Sequence, residues 1–246
     1  MQVPSLAFPC GVAPGFDPTH PAAASTLLLA IARGGNMVSI VGKPGVAAGL
    51  TSTPTAVIDG KIGPATTYAQ GGGQDSAWAG FATNTPSAFT MAAICVPVTH
   101  GGAAQCLVYD NPSGTGGTKS GLLWNNTGVA KWGISTSSFI STSTTPNVVV
   151  GVPYFVAASM LSAVGFNLVA ARLDTGQITS EFVSSATTLA AWTGTLNVGN
   201  QNGNNGLRSA GASIAAAMVT QGYCSIPQLL AWAQNPWGFW YPGNVS

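Results

Sequence analysis

From Asn36 to Thr220 the chain is cut by turn residues into short apolar and β-branched runs, and few folds accept that pattern. The runs are "FTMAAICVPV" (89–98), "AQCLVYD" (104–110), "GLLWN" (121–125), "AKWGIS" (130–135) and "NVVVGVPYFVAASML" (147–161). They continue with "FNLVAARLD" (166–174), "ITSEFV" (178–183), "TLNVG" (195–199) and "ASIAAAMVT" (212–220). Glycine, asparagine and threonine clusters between them supply tight-turn chemistry, and such runs at near-regular spacing predict an all-β sandwich of antiparallel sheets. Two turns set expected registers. Cys95 and Cys106 each lie about five residues from the centre of the turn at His100-Gly101, so a symmetric hairpin there places them opposite each other, within bridging distance. Trp124 and Trp132 are equidistant from Gly128 and read as cross-strand neighbours.

The two ends break the pattern. Residues 1–34 form the first of two expected units. "VPSLAFPCGVAPGFDPTHP" carries five prolines, which block ladder and helix hydrogen bonds and predict an extended arm. "AAASTLLLAIARGG" then predicts a short helix stopped by Gly34 and Gly35. The second unit, 35–246, is the sandwich and closes with a short helix. Ser225 and Gln228 have capping-box spacing. Ile226, Leu229, Leu230 and Ala233 form one apolar stripe, and Asn235-Pro236 ends it. Trp237, Phe239 and Trp240 follow that stop. They either seal a sandwich edge or await a partner, since aromatics dominate both cores and interface hot spots.

Charge narrows the partners. Only 5% of residues are charged and the net charge is +1, against about 25% charged in a typical soluble domain. Nothing here attracts nucleic acid or an anionic membrane. So little colloidal repulsion suits a chain that ends packed in an assembly. The first basic residue is Arg33, so no charged segment precedes an apolar run as in a secretory leader. The longest apolar run, Ala22 to Ala32, is too short to span a membrane. Synthesis in a cytoplasm is the expectation, and there the thiols are free.

"DGKIGPATTYAQGGGQDSAWAG" with "SAFTMAAICVPV" (59–98), "GVPYFVAASM" (151–160), "GTLNVGNQN" (194–202) and the closing helix with "NPW" (235–237) together carry a resemblance. They resemble laminin-G-like, concanavalin-A-like domains of bacteriophage structural proteins, over about residues 36–241. The resemblance implies a two-sheet antiparallel jelly roll and a place in the virion. It does not choose a function, since that sandwich hosts lectins, glycosidases and virion parts.

The candidate chemistry is sparse. Glycoside hydrolysis needs two carboxylates flanking one bond, and the chain has six: Asp17, Asp59, Asp75, Asp110, Asp174 and Glu181. No two are closely spaced, so no catalytic residue is assigned. "SGTGGTKS" (113–120) mimics a phosphate loop but lies between strands, where the motif needs a strand and then a helix. The four cysteines show no C-x-x-C spacing. No cofactor or metal is expected. Calcium is the nearest case, with Asp110, Asn111 and Asn125 as oxygen donors, short of the six to eight that it takes. Trp124 and Trp132 are the candidate glycan platform, or else core. The reading is a non-enzymatic virion protein: a capsid decoration, or part of a head or tail fibre. It is expected to be a homo-oligomer docked on the major capsid or another virion protein. Val3, Leu6, Phe8, Val12 and Phe16 of the arm, with Trp237, Phe239 and Trp240, are the expected contacts. A carbohydrate-binding adhesion module for host-surface glycans is the second reading, and a glycoside hydrolase the third.

Overall fold

In the computed structural model, residues 22–33, 36–41, 55–69, 76–99, 105–110, 120–125, 130–135, 139–141, 147–192, 194–199 and 211–238 are described. The arm residues Val3, Leu6, Phe8, Val12 and Phe16 lie outside them, as do Asn111, Phe239 and Trp240. The strands in chain order are β1 (Thr26–Arg33), β2 (Asn36–Val41), β3 (Thr55–Asp59), β4 (Gly63–Tyr68), β5 (Ser76–Ala79), β6 (Ala88–Pro97), β7 (Gln105–Asp110) and β8 (Gly121–Asn125). They continue as β9 (Lys131–Ser135), β10 (Phe139–Ser141), β11 (Tyr154–Leu161), β12 (Gly165–Arg172), β13 (Ile178–Ser184), β14 (Thr195–Val198) and β15 (Ala212–Gln221), before helix α1 (Ile226–Gln234). Among the described residues, one sheet runs β13-β12-β11-β6-β15-β1-β2, with the β3–β4 hairpin joined to β15, and the other runs β10-β9-β8-β7-β14-β5. Every pairing is antiparallel. The chain is an all-β sandwich, as its turn spacing predicts.

The two sheets meet over one core. Leu28, Phe89, Met91, Val156, Phe166 and Val219 of the first sheet pack with Val108, Leu122, Trp124, Trp132, Ile134 and Leu196 of the second. Trp132 stands edge-on to Trp124, with ring centroids 5.5 Å apart, and edge-on to Tyr154 across the sandwich at 5.3 Å. Such geometry sets a positive ring edge against a negative face.

The first sheet is also buried on its other side. Leu29, Ile31, Ala92, Ile94, Phe155, Val169, Ala216 and Met218 form a second cluster with Leu229, Trp232, Ala233 and Trp237. This explains a correction. The segment expected to be a helix of the arm is strand β1, paired with β15 and β2. Its residues alternate between the two cores: Leu28, Ala30 and Ala32 in one, Leu29 and Ile31 in the other. A strand buried on both faces reads as a continuous apolar run, without alternation to betray it. The division at residue 34 therefore falls between two paired strands of one sheet.

The cysteine register is a second correction. Strand β6, with Cys95, belongs to the first sheet and β7, with Cys106, to the second, so the two strands do not pair as a hairpin. Cys95 faces Tyr154 on β11 and Ile214 on β15, and it is a free thiol. Burial pushes its thiol far above the ordinary range and also raises that of Cys224. Only the thiolate is nucleophilic. Iodoacetamide on the native protein is therefore expected to spare Cys95 and Cys224, and both should alkylate fully once the chain is denatured. Peptide mapping that finds either one modified in the native protein would contradict this packing.

Helix α1 begins as the capping box predicts. The Ser225 backbone N–H donates to Gln228 Oε1 at 2.8 Å, and the Ser225 hydroxyl lies 2.9 Å from the same oxygen. Its buried residues are Leu229, Trp232 and Ala233, and Leu230 packs half-buried against the same cluster, so the expected stripe holds except that Trp232 joins it in place of Ile226. The helix lies on β11, β12 and β13. Trp237, just past its end, is 3% exposed and joins the same cluster, so it seals the sheet face instead of waiting for a partner.

Candidate functional site

Pairing of β8 with β9 places Trp124 and Trp132 directly opposite each other, as their spacing predicts. Both are fully buried on the inner face of their sheet, so neither offers a ring to a glycan, and the platform expected there is corrected. Their indole area is worth more in the core than at the surface.

The four described carboxylates stand on separate elements. Asp59 Oδ1 accepts the Lys61 backbone N–H at 2.8 Å in the β3–β4 turn. Asp174 pairs with Arg172 at 2.8 Å beside the β12–β13 turn, and that hydrogen bond holds its carboxyl below the ordinary value. Asp110 is buried at the end of β7, and Glu181 is opposite Leu168 on the edge strand β13. Asp110 lies at the Gly121 end of the β7–β8 pair, where its backbone N–H bonds Ser120. Asn125 is at the other end of β8, about 13 Å along the strand. Among the described residues, no three of His, Cys, Asp and Glu gather as a metal site, and no helix is long and apolar enough to cross a membrane.

A different feature stands on the outer face of the first sheet. Its successive cross-strand rows are apolar, for example Met218, Ala92, Ala157 and Val169. One row differs. Register places Thr26, Thr220, Thr90, Ser159, Asn167 and Phe182 side by side across β1, β15, β6, β11, β12 and β13. Thr220, Thr90, Ser159 and Asn167 are at most 3% exposed. Buried hydroxyls and amides need partners, and these find them in the segment that leaves β15 for α1. The Thr90 hydroxyl lies within reach of Ser159 (2.9 Å) and of the Gly222 carbonyl (3.0 Å). Ser159 Oγ accepts the Cys224 backbone N–H at 2.7 Å. Asn167 Nδ2 donates to the Cys224 carbonyl at 2.9 Å and to the Tyr223 hydroxyl at 2.7 Å.

The row ends in two exposed rings. Tyr223 is 38% exposed and tethered at its hydroxyl to Asn167; Phe182 is 47% exposed and directly opposite Asn167 in register. Phe182 Cζ is 3.1 Å from where a Cβ on Gly165 would sit, so the ring rests on the glycine backbone. Neither residue was singled out from sequence. The available signal is the order Ile178, Ser180, Phe182, Ser184, in which an aromatic stands between two serines on one side of an edge strand.

The fold is shared widely although the sequence is not. No protein-family model matches the chain, and no curated protein matches it. Among solved structures, it is similar to the enzymatically active domain of tailspike protein 2 of bacteriophage CBA120, with 17% identity over 75% of this chain and 30% of that one, TM-score 0.53. It is similar to a GH54 α-L-arabinofuranosidase, with 16% identity over 85% of this chain and 45% of that one, TM-score 0.53. It is also similar to the binding domain of botulinum neurotoxin serotype G, with 8% identity over 85% of this chain and 50% of that one, TM-score 0.56. The chain thus spans no more than half the length of each of these three solved chains. The expectation of a non-enzymatic chain is overturned here, because glycosidases recur among the structures that share this sandwich. The physical reason is plain: a hydrolytic pair needs carboxylates close in space, and spacing along the sequence does not report that.

Proposed function

We propose that the chain is a carbohydrate-directed sandwich module of a bacteriophage virion, carried at the particle surface in a fibre, spike or decoration. Its sandwich is read as laminin-G-like, as the motifs of its strands suggest. The observation that carries the proposal is the two-sheet sandwich itself, which recurs in a phage tailspike domain and in arabinofuranosidases. Low charge supports assembly into a particle: 5% charged residues give little mutual repulsion. The arm with Val3, Leu6, Phe8, Val12 and Phe16 is the proposed anchor to capsid or tail, with self-association through the same segment.

Mass spectrometry of purified particles, with antibody labelling in electron micrographs, tests the location. The expected result is the intact chain on the particle exterior. Its absence from washed particles would refute the virion assignment. Incubating the full chain with arabino-, xylo- and gluco-oligosaccharides tests the carbohydrate assignment, reading both retention and cleavage. Neither retention nor cleavage of any of them would refute it.

A further inference from the structure

We propose that Phe182 and Tyr223, the latter held in place by Asn167, form a binding platform for a neutral saccharide ring, a proposal that rests on the carbohydrate-directed reading above. Three observations carry it. First, the two rings are exposed while the other aromatics of the sandwich interior are not: Phe182 is 47% and Tyr223 38% exposed, whereas Trp124, Trp132, Tyr154 and Phe155 are at most 2%. An apolar face with polar groups at its edge suits a pyranose or furanose, which offers C–H bonds on one side and hydroxyls around the rim.

Second, the site is held rigid. Phe182 rests on the Gly165 backbone, and Tyr223 is fixed at its hydroxyl by the Asn167 amide. Asn167 is 3% exposed and is itself fixed by the Cys224 carbonyl. Thr90 and Ser159 tie down Gly222 and Cys224 on either side of Tyr223. This polar row across an apolar face makes Thr90 and Ser159 positioning residues for the tyrosine. Fixed rings lose little freedom on binding, which raises affinity for a given contact.

Third, the described residues named here on the same side as the two rings carry no charge. The neighbours in sequence are Gln221 and Gly222 on one side and Val183, Ser184 and Ser185 on the other, with Val164 exposed in the β11–β12 turn. Glu181 is on the opposite side of β13, facing the inner row with Leu168. The Arg172–Asp174 pair is at the far end of the β12–β13 hairpin. A cationic clamp for an acidic sugar is missing from these neighbours, which selects a neutral ligand.

The test uses the full chain on an array of gluco-, galacto-, xylo- and arabino-oligosaccharides with sialyllactose included. The variants are Phe182→Ala, Tyr223→Ala, Tyr223→Phe and Ser159→Ala, with Val38→Ala on the distant edge strand β2 as control. Wild type and Val38→Ala are expected to bind neutral sugars equally. Phe182→Ala and Tyr223→Ala should each weaken binding about tenfold, the scale of losing one aromatic contact. Tyr223→Phe keeps the ring and should lose about two- to threefold, on the scale of one hydrogen bond. Ser159→Ala should lower affinity for all sugars alike and raise the hydrogen-exchange rate at the Cys224 amide, an effect that loss of ring area alone does not produce. Binding that survives both alanine variants would overturn the platform and leave the carbohydrate reading standing. A wild-type chain that binds nothing would remove both. Preference for sialyllactose, lost in Phe182→Ala, would overturn the neutral class.

Discussion

Trp132→Ala is expected to destabilise the fold by about 3–5 kcal/mol, the range for truncating a buried tryptophan. The side chain is fully buried, and its ring meets Trp124 within its own sheet and Tyr154 in the other. Removing it deletes both edge-to-face contacts and leaves a cavity between β9 and β11, where the sheets face each other. Urea unfolding, read as a shift of midpoint at unchanged slope, measures the loss. Lys131→Ala, the next residue on β9 and only half-buried, should stay within about 0.5 kcal/mol of wild type. A Trp132→Ala loss below about 1 kcal/mol would show the ring to be at the surface.

Gly165→Ala is expected to be nearly as costly and to act on the platform as well. Gly165 opens β12 at φ +141°, a backbone region that side chains rarely enter, and a Cβ there meets the Val183 carbonyl oxygen at 2.2 Å. The obstacle is backbone, so no rotamer change relieves it. Strain and overpacking together give about 2–4 kcal/mol. The Phe182 ring, 3.1 Å from the same position, must also lift from its seat. Gly60→Ala is the contrasting case: nothing lies within 4 Å of the added methyl, and a small gain of about 0.4–1 kcal/mol is expected. Equal effects at the two glycines would contradict the backbone described for Gly165.

Most of the strands are legible because turn residues bound runs rich in apolar and β-branched side chains. Strand β8 falls on residues 121–125 as the run predicts, and β7, β9, β12, β13 and β15 fall within a residue or two of theirs. The run 147–161 was too long: Gly151 at φ +77° and Pro153 keep the ladder from starting before Tyr154. Strand β1 was misread because Leu and Ala favour helices in isolation, and only burial on both faces makes them a strand. The relation of β6 to β7 was misread because periodicity defines a strand and says nothing about which sheet it joins.

The site was less legible than the fold. Reasoning from residue size led to the tryptophans, the side chains with most to gain from burial. The exposed rings are a phenylalanine and a tyrosine. Their placement depends on pairings between β6, β11, β12, β13 and β15, which lie up to 130 residues apart in sequence (Thr90 to Thr220). Thr90, Ser159 and Asn167 look unremarkable one at a time. They form a polar row only when register aligns them.

Binding of a neutral sugar on the outer face of the larger sheet, as proposed above, is open to a direct test. Side-chain and amide NMR of the full chain, titrated with the neutral oligosaccharides of the array, tests it most directly. Saturable shifts are expected, confined to Phe182, Tyr223, Gly222 and the Asn167 side-chain amide. Shifts that cluster instead on β5, β14, β7 and β8 of the other sheet, or no shifts at all, would contradict it.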